Sequence, residues 1–306
     1  MLLARTLARL RRSGGELARY WATGAQSAGG RKTSPLRRPD GKWHARCASW
    51  VSPSSIGGRS GRRVVSGMRA ANDLLFPPCC AFCRCDIVPR PGQPLLCQAC
   101  TDRFWQQRSA CRRCASPVPA YWNVPQFCPH CQRRNYGFER AEALGDYGAE
   151  LQQAVLWMKR LAFEPLTWAV GGLLGRHVAV QLDPWAPDWI VPIPMHFWRR
   201  VARGVQPSHV LAGQVAGVLQ LPLREQLLFC RRKSSKQGTL TVAERFKNIR
   251  GAFSVSTGYD ISNKRILLID DIMTTGATAS EAARVLRKAG AGAVAVAVVA
   301  RGLGTR

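Results

Sequence analysis

The stretch Arg265-Ile-Leu-Leu-Ile-Asp-Asp-Ile-Met-Thr-Thr-Gly-Ala-Thr278 constrains this chain more than any other part of it. Four apolar residues, Ile266 to Ile269, read as a buried strand. Asp270 and Asp271 stand at its carboxyl end, and a turn of hydroxyl residues and glycine comes next. A helix is expected to open at Ala279, because Ala282, Val285, Leu286 and Ala289 recur at the helical period. Gly290 ends it, and residues 293–300 are short and β-rich enough for the next strand. In such a strand–loop–helix unit, the backbone N–H groups of the loop and the positive helix end form an anion site. Gly276 lets the backbone approach a phosphate closely, and Thr274, Thr275 and Thr278 add hydroxyl donors around Ala277. Asp270 and Asp271 sit where acidic oxygens would accept from two vicinal sugar hydroxyls. The alternative is an ordinary polar turn, but adjacent carboxylates repel each other and need a reason to be there.

The same residues closely resemble the ribose-5-phosphate motif of type I phosphoribosyltransferases, which bind phosphoribosyl pyrophosphate (PRPP). That motif is an apolar strand, paired acids and Thr-Thr-Gly-x-Thr, and all of these positions are present here. The resemblance implies an α/β fold, with a parallel sheet flanked by helices. Asp270 and Asp271 are then the residues at the reacting sugar, and Thr274, Thr275, Gly276, Ala277 and Thr278 bind the phosphate.

Charge is uneven along the chain. The formal net charge is +27, of which residues 1–67, with 14 Lys/Arg and two acids, hold +12. The +15 that remains on residues 68–306 suggests a phosphate-bearing partner, either nucleic acid or PRPP; a solvated basic surface is the bland alternative. No run of 18 apolar residues exists, so no membrane span is expected. Residues 1–67 are rich in Arg, Ser and Gly and cannot bury enough surface to fold, so they read as a disordered basic leader. Such a leader fits an organelle transit peptide, or translation begins at Met68, a natural start for the cysteine-rich region.

Eight of the 12 cysteines form four Cys-x-x-Cys pairs: Cys80/Cys83, Cys97/Cys100, Cys111/Cys114 and Cys128/Cys131. Each pair makes a knuckle that offers two thiolates, and a tetrahedral zinc needs two knuckles. The two 13-residue gaps, 84–96 and 115–127, are equal, which favours two successive zinc ribbons over residues 76–135. Sequential pairing is the simplest reading, with interleaved pairing open. Closed four-thiolate sites hold a fold together and have no vacant position for catalysis. Cys79 and Cys85 flank the first knuckle, either as spare thiols or as rivals that confuse its assignment, and His130 is a bystander. Arg84, Arg103, Trp105, Arg108, Arg112, Arg113, Arg133 and Arg134 would decorate the ribbons. Basic and aromatic groups interleaved in this way bind single strands by phosphate contact and stacking.

From Tyr136 the pattern becomes α/β. Leu151, Val155, Met158 and Leu161 mark a helix that ends in Lys159-Arg160, and residues 166–182 form a second one containing Gly171, Gly172 and Gly175. Trp189 to Pro194 reads as a short strand entering a constrained loop. Arg199, Arg200 and Arg203 come after it, and Leu211, Val215, Val218 and Leu219 mark the next helix. A Val-Pro-x-Pro loop followed by arginines resembles the pyrophosphate grip of type I phosphoribosyltransferases, with guanidinium groups answering the charge of the leaving group. Residues 231–253 carry seven basic residues against one acid, Glu244. They read as an unstructured basic hood over the site, with Lys233, Lys236 and Arg245 as candidate phosphate contacts.

Taken together, residues 68–306 resemble the ComF family. The resemblance covers the double zinc ribbon, Val191-Pro-Ile-Pro194, Arg203-Gly204, the set Gln237, Leu240, Glu244, Arg245 and Asn248, and the Asp-Asp-Ile-Met-Thr-Thr-Gly-Ala-Thr motif. After Arg-Gly the family usually continues Phe-Asn-Gln, whereas this chain has Val205-Gln206-Pro207. The resemblance implies a cytoplasmic protein with a phosphoribosyltransferase-like domain over 140–306. It also implies two structural zinc ions, Mg²⁺ accompanying PRPP, and an association with competence and DNA-import proteins. Two functions stay open at this point. One is PRPP binding with transfer of the phosphoribosyl group to an unknown acceptor. The other is a non-catalytic module that binds single-stranded DNA and uses the same domain as a ligand-responsive platform.

Overall fold

The computed structural model describes residues 77–88, 92–119, 128–132, 134–183, 185–196, 201, 204–232 and 241–303. All of them fall within one compact unit, Ser49–Arg306. The leader expected over 1–67 lies outside the described residues.

In chain order the elements are α1 (Gln98–Phe104), β1 (Arg140–Asp146), α2 (Ala149–Met158), a 3₁₀ turn (Leu161–Phe163), α3 (Glu164–Gln181) and β2 (Trp189–Pro192). They continue with α4 (Pro207–Leu219), β3 (Leu228–Cys230), α5 (Val242–Ile249), β4 (Phe253–Val255), β5 (Arg265–Met273), α6 (Ala277–Lys288) and β6 (Ala293–Arg301). Four strands form a parallel sheet in the order β1-β6-β5-β2, and β3 and β4 form a separate antiparallel pair.

Strand periodicity divides the core in two, because successive side chains on a strand point to opposite faces. On one face Leu267 and Ile269 of β5 join Ala295, Ala297 and Val299 of β6. They pack under Leu151 and Val155 of α2, Leu173 and Leu174 of α3, and Leu211 and Val215 of α4. On the other face Ile266 and Leu268 join Val294, Val296 and Val298, beneath Ala282 and Leu286 of α6 and Phe253 of β4. A sheet covered on both sides needs strands that are apolar along their length, as β6 is up to its last residue, Arg301. The glycines of α3 have a packing role: a Cβ on Gly175 would lie 2.9 Å from the Val218 Cβ, so α3 and α4 meet only because it is absent.

The cysteine-rich segments share these two cores. Phe82, Leu96, Cys100 and Phe104 belong to the first, and all four cysteines of the 111–131 segment belong to the second. Phe104 is fully buried, with its ring edge-on to Phe82 at 4.9 Å. Among the described residues no helix is long and apolar enough to cross a membrane.

The helices expected around 151–161, 166–182 and 211–219 are present, as are the strands at 189 and 293. Helix α6 begins at Ala277, two residues earlier than its apolar stripe suggests. The Thr275 hydroxyl accepts from the Ala277 N–H at 3.3 Å, and Gly276, at φ +78°, turns the chain directly into the helix. Residues 241–253 of the basic 231–253 segment are ordered, which corrects the expectation of an unstructured hood there; residues 233–240 lie outside the described residues. Thr241 and Glu244 form a capping box that starts α5. Ile249 is buried, and Phe246 lies against Tyr136, 6.4 Å between ring centroids.

Phe104→Ala is expected to lower unfolding free energy by about 3–5 kcal/mol, the range for an aromatic removed from a close-packed core. Denaturant unfolding measures this; a loss below about 1 kcal/mol would mean that the cysteine-rich segment does not share the core of the α/β layer.

Candidate functional site

β5 carries both aspartates inside the strand, with Asp270 opposite Val298, so the strand delivers them to the carboxyl edge of the sheet. That edge is where open α/β sheets bind ligands. One cleft there is lined by Asp270, Asp271, Thr274, Thr275, Gly276, Ala277 and Thr278. The Asp271 N–H donates to Asp270 Oδ1 at 2.9 Å. Burial, and after it the neighbouring Asp271 carboxylate, holds the Asp270 carboxyl well above the usual carboxylate range. Lys159 Nζ lies 3.3 Å from Asp271 Oδ2 and joins the lining of the cleft.

The loop is held from behind. A Cβ on Gly276 would come within 2.9 Å of the Tyr136 ring, and φ +78° already favours glycine, so two independent constraints fix this residue. The Tyr136 hydroxyl donates to the Thr275 carbonyl at 3.1 Å. The N-cap residue Gly276 has no side chain to cap α6, so apart from the Thr275 hydroxyl that accepts from the Ala277 N–H its first turn has no side-chain cap.

Of the remaining expected contacts, Arg245 on α5 donates to Thr274 Oγ1 at 3.3 Å and so reaches the loop. Arg199, Arg203, Lys233 and Lys236 lie outside the described residues, as do Gln237 and Leu240. Val205-Gln206-Pro207 has a defined role. Gln206 Nε2 and Ser208 Oγ donate to the Ile193 carbonyl at 3.3 and 2.7 Å, pinning the Val191–Pro194 loop, and Pro207 opens α4. The Ile193 N–H continues the β2–β5 pairing by donating to the Ile269 carbonyl at 2.9 Å. Sequence reasoning assigns Lys159 to the end of a helix and misses its place in the site; the signal is a cation directly after the stripe of α2. It also misses Tyr136 and Arg301.

The cysteines gather sequentially. Cys111, Cys114, Cys128 and Cys131 are all buried, with Sγ–Sγ separations of 3.7 Å (111–131), 3.5 Å (114–128) and 3.8 Å (128–131). Tetrahedral zinc with Zn–S near 2.3 Å requires sulfurs about 3.8 Å apart, so this tetrad fits the metal. In the first cluster the four sulfurs that converge are those of Cys80, Cys83, Cys85 and Cys97. The expected fourth member, Cys100, instead hydrogen-bonds Cys80 and donates its N–H to Cys97 Sγ at 3.4 Å. The cause is local: Arg84 at φ +67° folds the chain back, the Cys80 N–H donates to the Cys85 carbonyl at 2.7 Å, and Cys85 lands 3.4 Å from Cys83. Five thiols thus surround four coordination positions.

Three of the residues expected to decorate the ribbon exterior are engaged internally. Trp105 packs on the core and stands edge-on to His177 at 5.9 Å. Arg108 donates to the Ala115 carbonyl at 3.0 Å and pairs with Asp146 at 3.3 Å, and Arg134 reaches the Thr275 carbonyl at 3.4 Å. Arg84 and Arg112 are exposed, and Arg133 lies outside the described residues.

A family model for the phosphoribosyl transferase domain matches residues 204–306. Competence protein F of Haemophilus influenzae is 26% identical over 221 residues, which cover 69% of this chain and 91% of that protein. The DNA utilization protein YhgH of Escherichia coli K12 is 25% identical over 230 residues, 73% of this chain and 96% of that protein. Both relatives, together with the phosphoribosyl transferase domain, bear out the resemblance to the ComF family. Among solved structures, this chain is similar to glutamine phosphoribosylpyrophosphate amidotransferase from B. subtilis (22% identity, 45% of this chain and 26% of that chain, TM-score 0.32). Its α/β portion is a type I phosphoribosyltransferase domain, a parallel sheet flanked by helices.

The Asp270 carboxyl gives this phosphoribosyltransferase domain a stability signature. A carboxyl raised in the folded state carries no penalty below the unfolded value of about 3.9, and the full penalty above the folded value. Asp270→Asn is therefore expected to raise the melting temperature at pH 7.5, with the gain shrinking as pH falls through the folded-state value. Thermal melts across pH measure this, and a variant that melts below the parent at pH 7.5 contradicts the assignment.

Proposed function

We propose that this ComF-like chain binds PRPP with Mg²⁺ at the carboxyl edge of β5 and transfers the phosphoribosyl group to an acceptor. One observation carries the reading: two adjacent carboxylates and the Thr274–Thr278 loop line a single cleft at the start of α6.

In this reading the loop N–H groups and the threonine hydroxyls bind the 5′-phosphate, with the positive end of α6 behind them. Asp270 and Asp271 accept from the two ribose hydroxyls. Lys159 sits beside Asp271, where it balances the second carboxylate and offers a cation to the diphosphate. Arg245 stands over the loop at Thr274. Bound Mg²⁺ would supply charge to the leaving diphosphate and would be held largely by PRPP oxygens, in keeping with its preference for few protein ligands. Transfer breaks the bond from the anomeric carbon to the pyrophosphate oxygen and forms one to the acceptor. The electron pair leaves with pyrophosphate, and the acceptor gives up its proton. The transition state resembles an oxocarbenium ion, so no protein nucleophile is needed; positioning and charge stabilisation carry the step.

Zinc in the two cysteine clusters has a folding role in this reading, with Cys111, Cys114, Cys128 and Cys131 as one ligand set. Cys80, Cys83 and Cys97, with Cys100 or Cys85, form the other. The names of the relatives, a competence protein and a DNA utilization protein, support a place for this activity in the handling of DNA.

Calorimetric titration of PRPP with Mg²⁺ into the full, zinc-loaded chain tests the proposal. Each carboxylate hydrogen bond to the sugar is worth about 1.5–3 kcal/mol, so Asp270→Asn/Asp271→Asn is expected to weaken binding by at least about tenfold. Unchanged affinity in the double variant would remove the aspartates from the site.

A further inference from the structure

The phosphate loop is attached to the second cysteine tetrad by a buried cation. Arg301, the last residue of β6, is 2% exposed and pairs in register with Met273. Its Nε donates to the Cys114 carbonyl at 2.7 Å, and its Nη1 to the Met273 carbonyl at 2.9 Å and to the carbonyls of Thr274 and Gly302. One guanidinium therefore holds a metal-site knuckle with one edge and the first turn of the phosphate loop with the other. The second knuckle reaches the same loop independently. The Arg134 N–H donates to the Cys131 carbonyl at 2.9 Å, while the Arg134 side chain and the Tyr136 hydroxyl both donate to the Thr275 carbonyl.

These contacts act on the loop first. Three consecutive carbonyls, of Met273, Thr274 and Thr275, are drawn back toward the tetrad. In a trans peptide the N–H points opposite to its carbonyl, so the N–H groups of Thr274, Thr275 and Gly276 are directed away from the tetrad. Fixing carbonyls behind the loop is thus what fixes N–H donors in front of it. They also leave a charge to be balanced. Every hydrogen-bond partner of Arg301 among the described residues is a backbone carbonyl, and no carboxylate there pairs with it. A buried cation without a counter-charge is strongly destabilising. A four-thiolate metal site is net negative, and Cys114 belongs to it.

We propose that Arg301 is a positioning residue that couples the second cysteine tetrad to the phosphate loop, with the metal-loaded tetrad as its counter-charge. Loss of metal from Cys111, Cys114, Cys128 and Cys131 then disorders the loop that receives the phosphate. The inference rests on the zinc and PRPP readings above, but the ordering of the loop is measurable without PRPP.

Hydrogen exchange of the full chain, with zinc content measured alongside, tests it. In the Arg301→Gln variant, amides of residues 273–279 are expected to exchange at least about tenfold faster, with those at the centre of β6 unchanged. Arg301→Lys, which keeps the charge but loses the fork, should recover part of the protection. Tyr136→Phe removes one donor and should accelerate the same amides by roughly 2–10-fold; it decides the matter if Arg301→Gln does not fold. Chelator treatment that removes zinc should reproduce the Arg301→Gln pattern, and PRPP affinity should fall in parallel. Wild-type exchange of residues 273–279 in folded Arg301→Gln, in Tyr136→Phe or in the zinc-depleted chain would overturn the coupling. Absent PRPP binding with a zinc-sensitive loop would sink only the ligand reading.

Discussion

The pairing of β5 on both sides, with β6 along nearly its whole length and with β2 over four residues, is the constraint on which the site depends. A strand held by two neighbours has no freedom of register, since a one-residue slip would turn Ile266 and Leu268 into the opposite core. Fixed register sends Asp270 and Asp271 to the carboxyl edge with defined directions. It also sets the point at which Gly276 must turn the chain into α6. The cleft is in that sense a by-product of sheet pairing, completed by groups that cover it: Lys159 after α2, Ile193 after β2 and Arg245 on α5.

The same arrangement places a cost at the site. Asp270 is an acid whose ionised form is disfavoured by burial and by its neighbour. In the proposed reading, a carboxylate kept under those conditions suits a sugar-hydroxyl receptor, an acceptor poorly satisfied until a ligand supplies donors. Behind the loop, the burial of Arg301 stores a similar tension, which a negatively charged metal site would relieve. The cysteine-rich segments are thus more than an appendage. Phe104 ties the first to the helical face of the sheet, and the carbonyls of Cys114 and Cys131 tie the second to the carboxyl edge.

Much of this is legible in the sequence, for physical reasons that differ between elements. The β5–α6 unit combines an apolar run, paired acids and a helical stripe, three signals that agree. Residues 231–253 mislead because their charge hides the Thr241-x-x-Glu244 box, a local helix signal that net charge cannot cancel. Cys85 is recognised only as a thiol beside the first knuckle, because the Cys-x-x-Cys spacing names Cys100, whereas the choice depends on a positive φ at Arg84 that no pattern announces. Trp105, Arg108 and Arg134 look like a nucleic-acid surface in one dimension; which side of a ribbon they face is decided by tertiary packing. Arg301 leaves one trace, a lone cation ending an otherwise apolar strand.

A crystal structure of the zinc-loaded chain with PRPP and Mg²⁺ tests the central claim most directly. The account predicts the 5′-phosphate on the N–H groups and hydroxyls of Thr274–Thr278, and the ribose hydroxyls on Asp270 and Asp271. A phosphate seated elsewhere, with the Thr274–Thr278 loop empty and Lys159 still paired to Asp271, would contradict it.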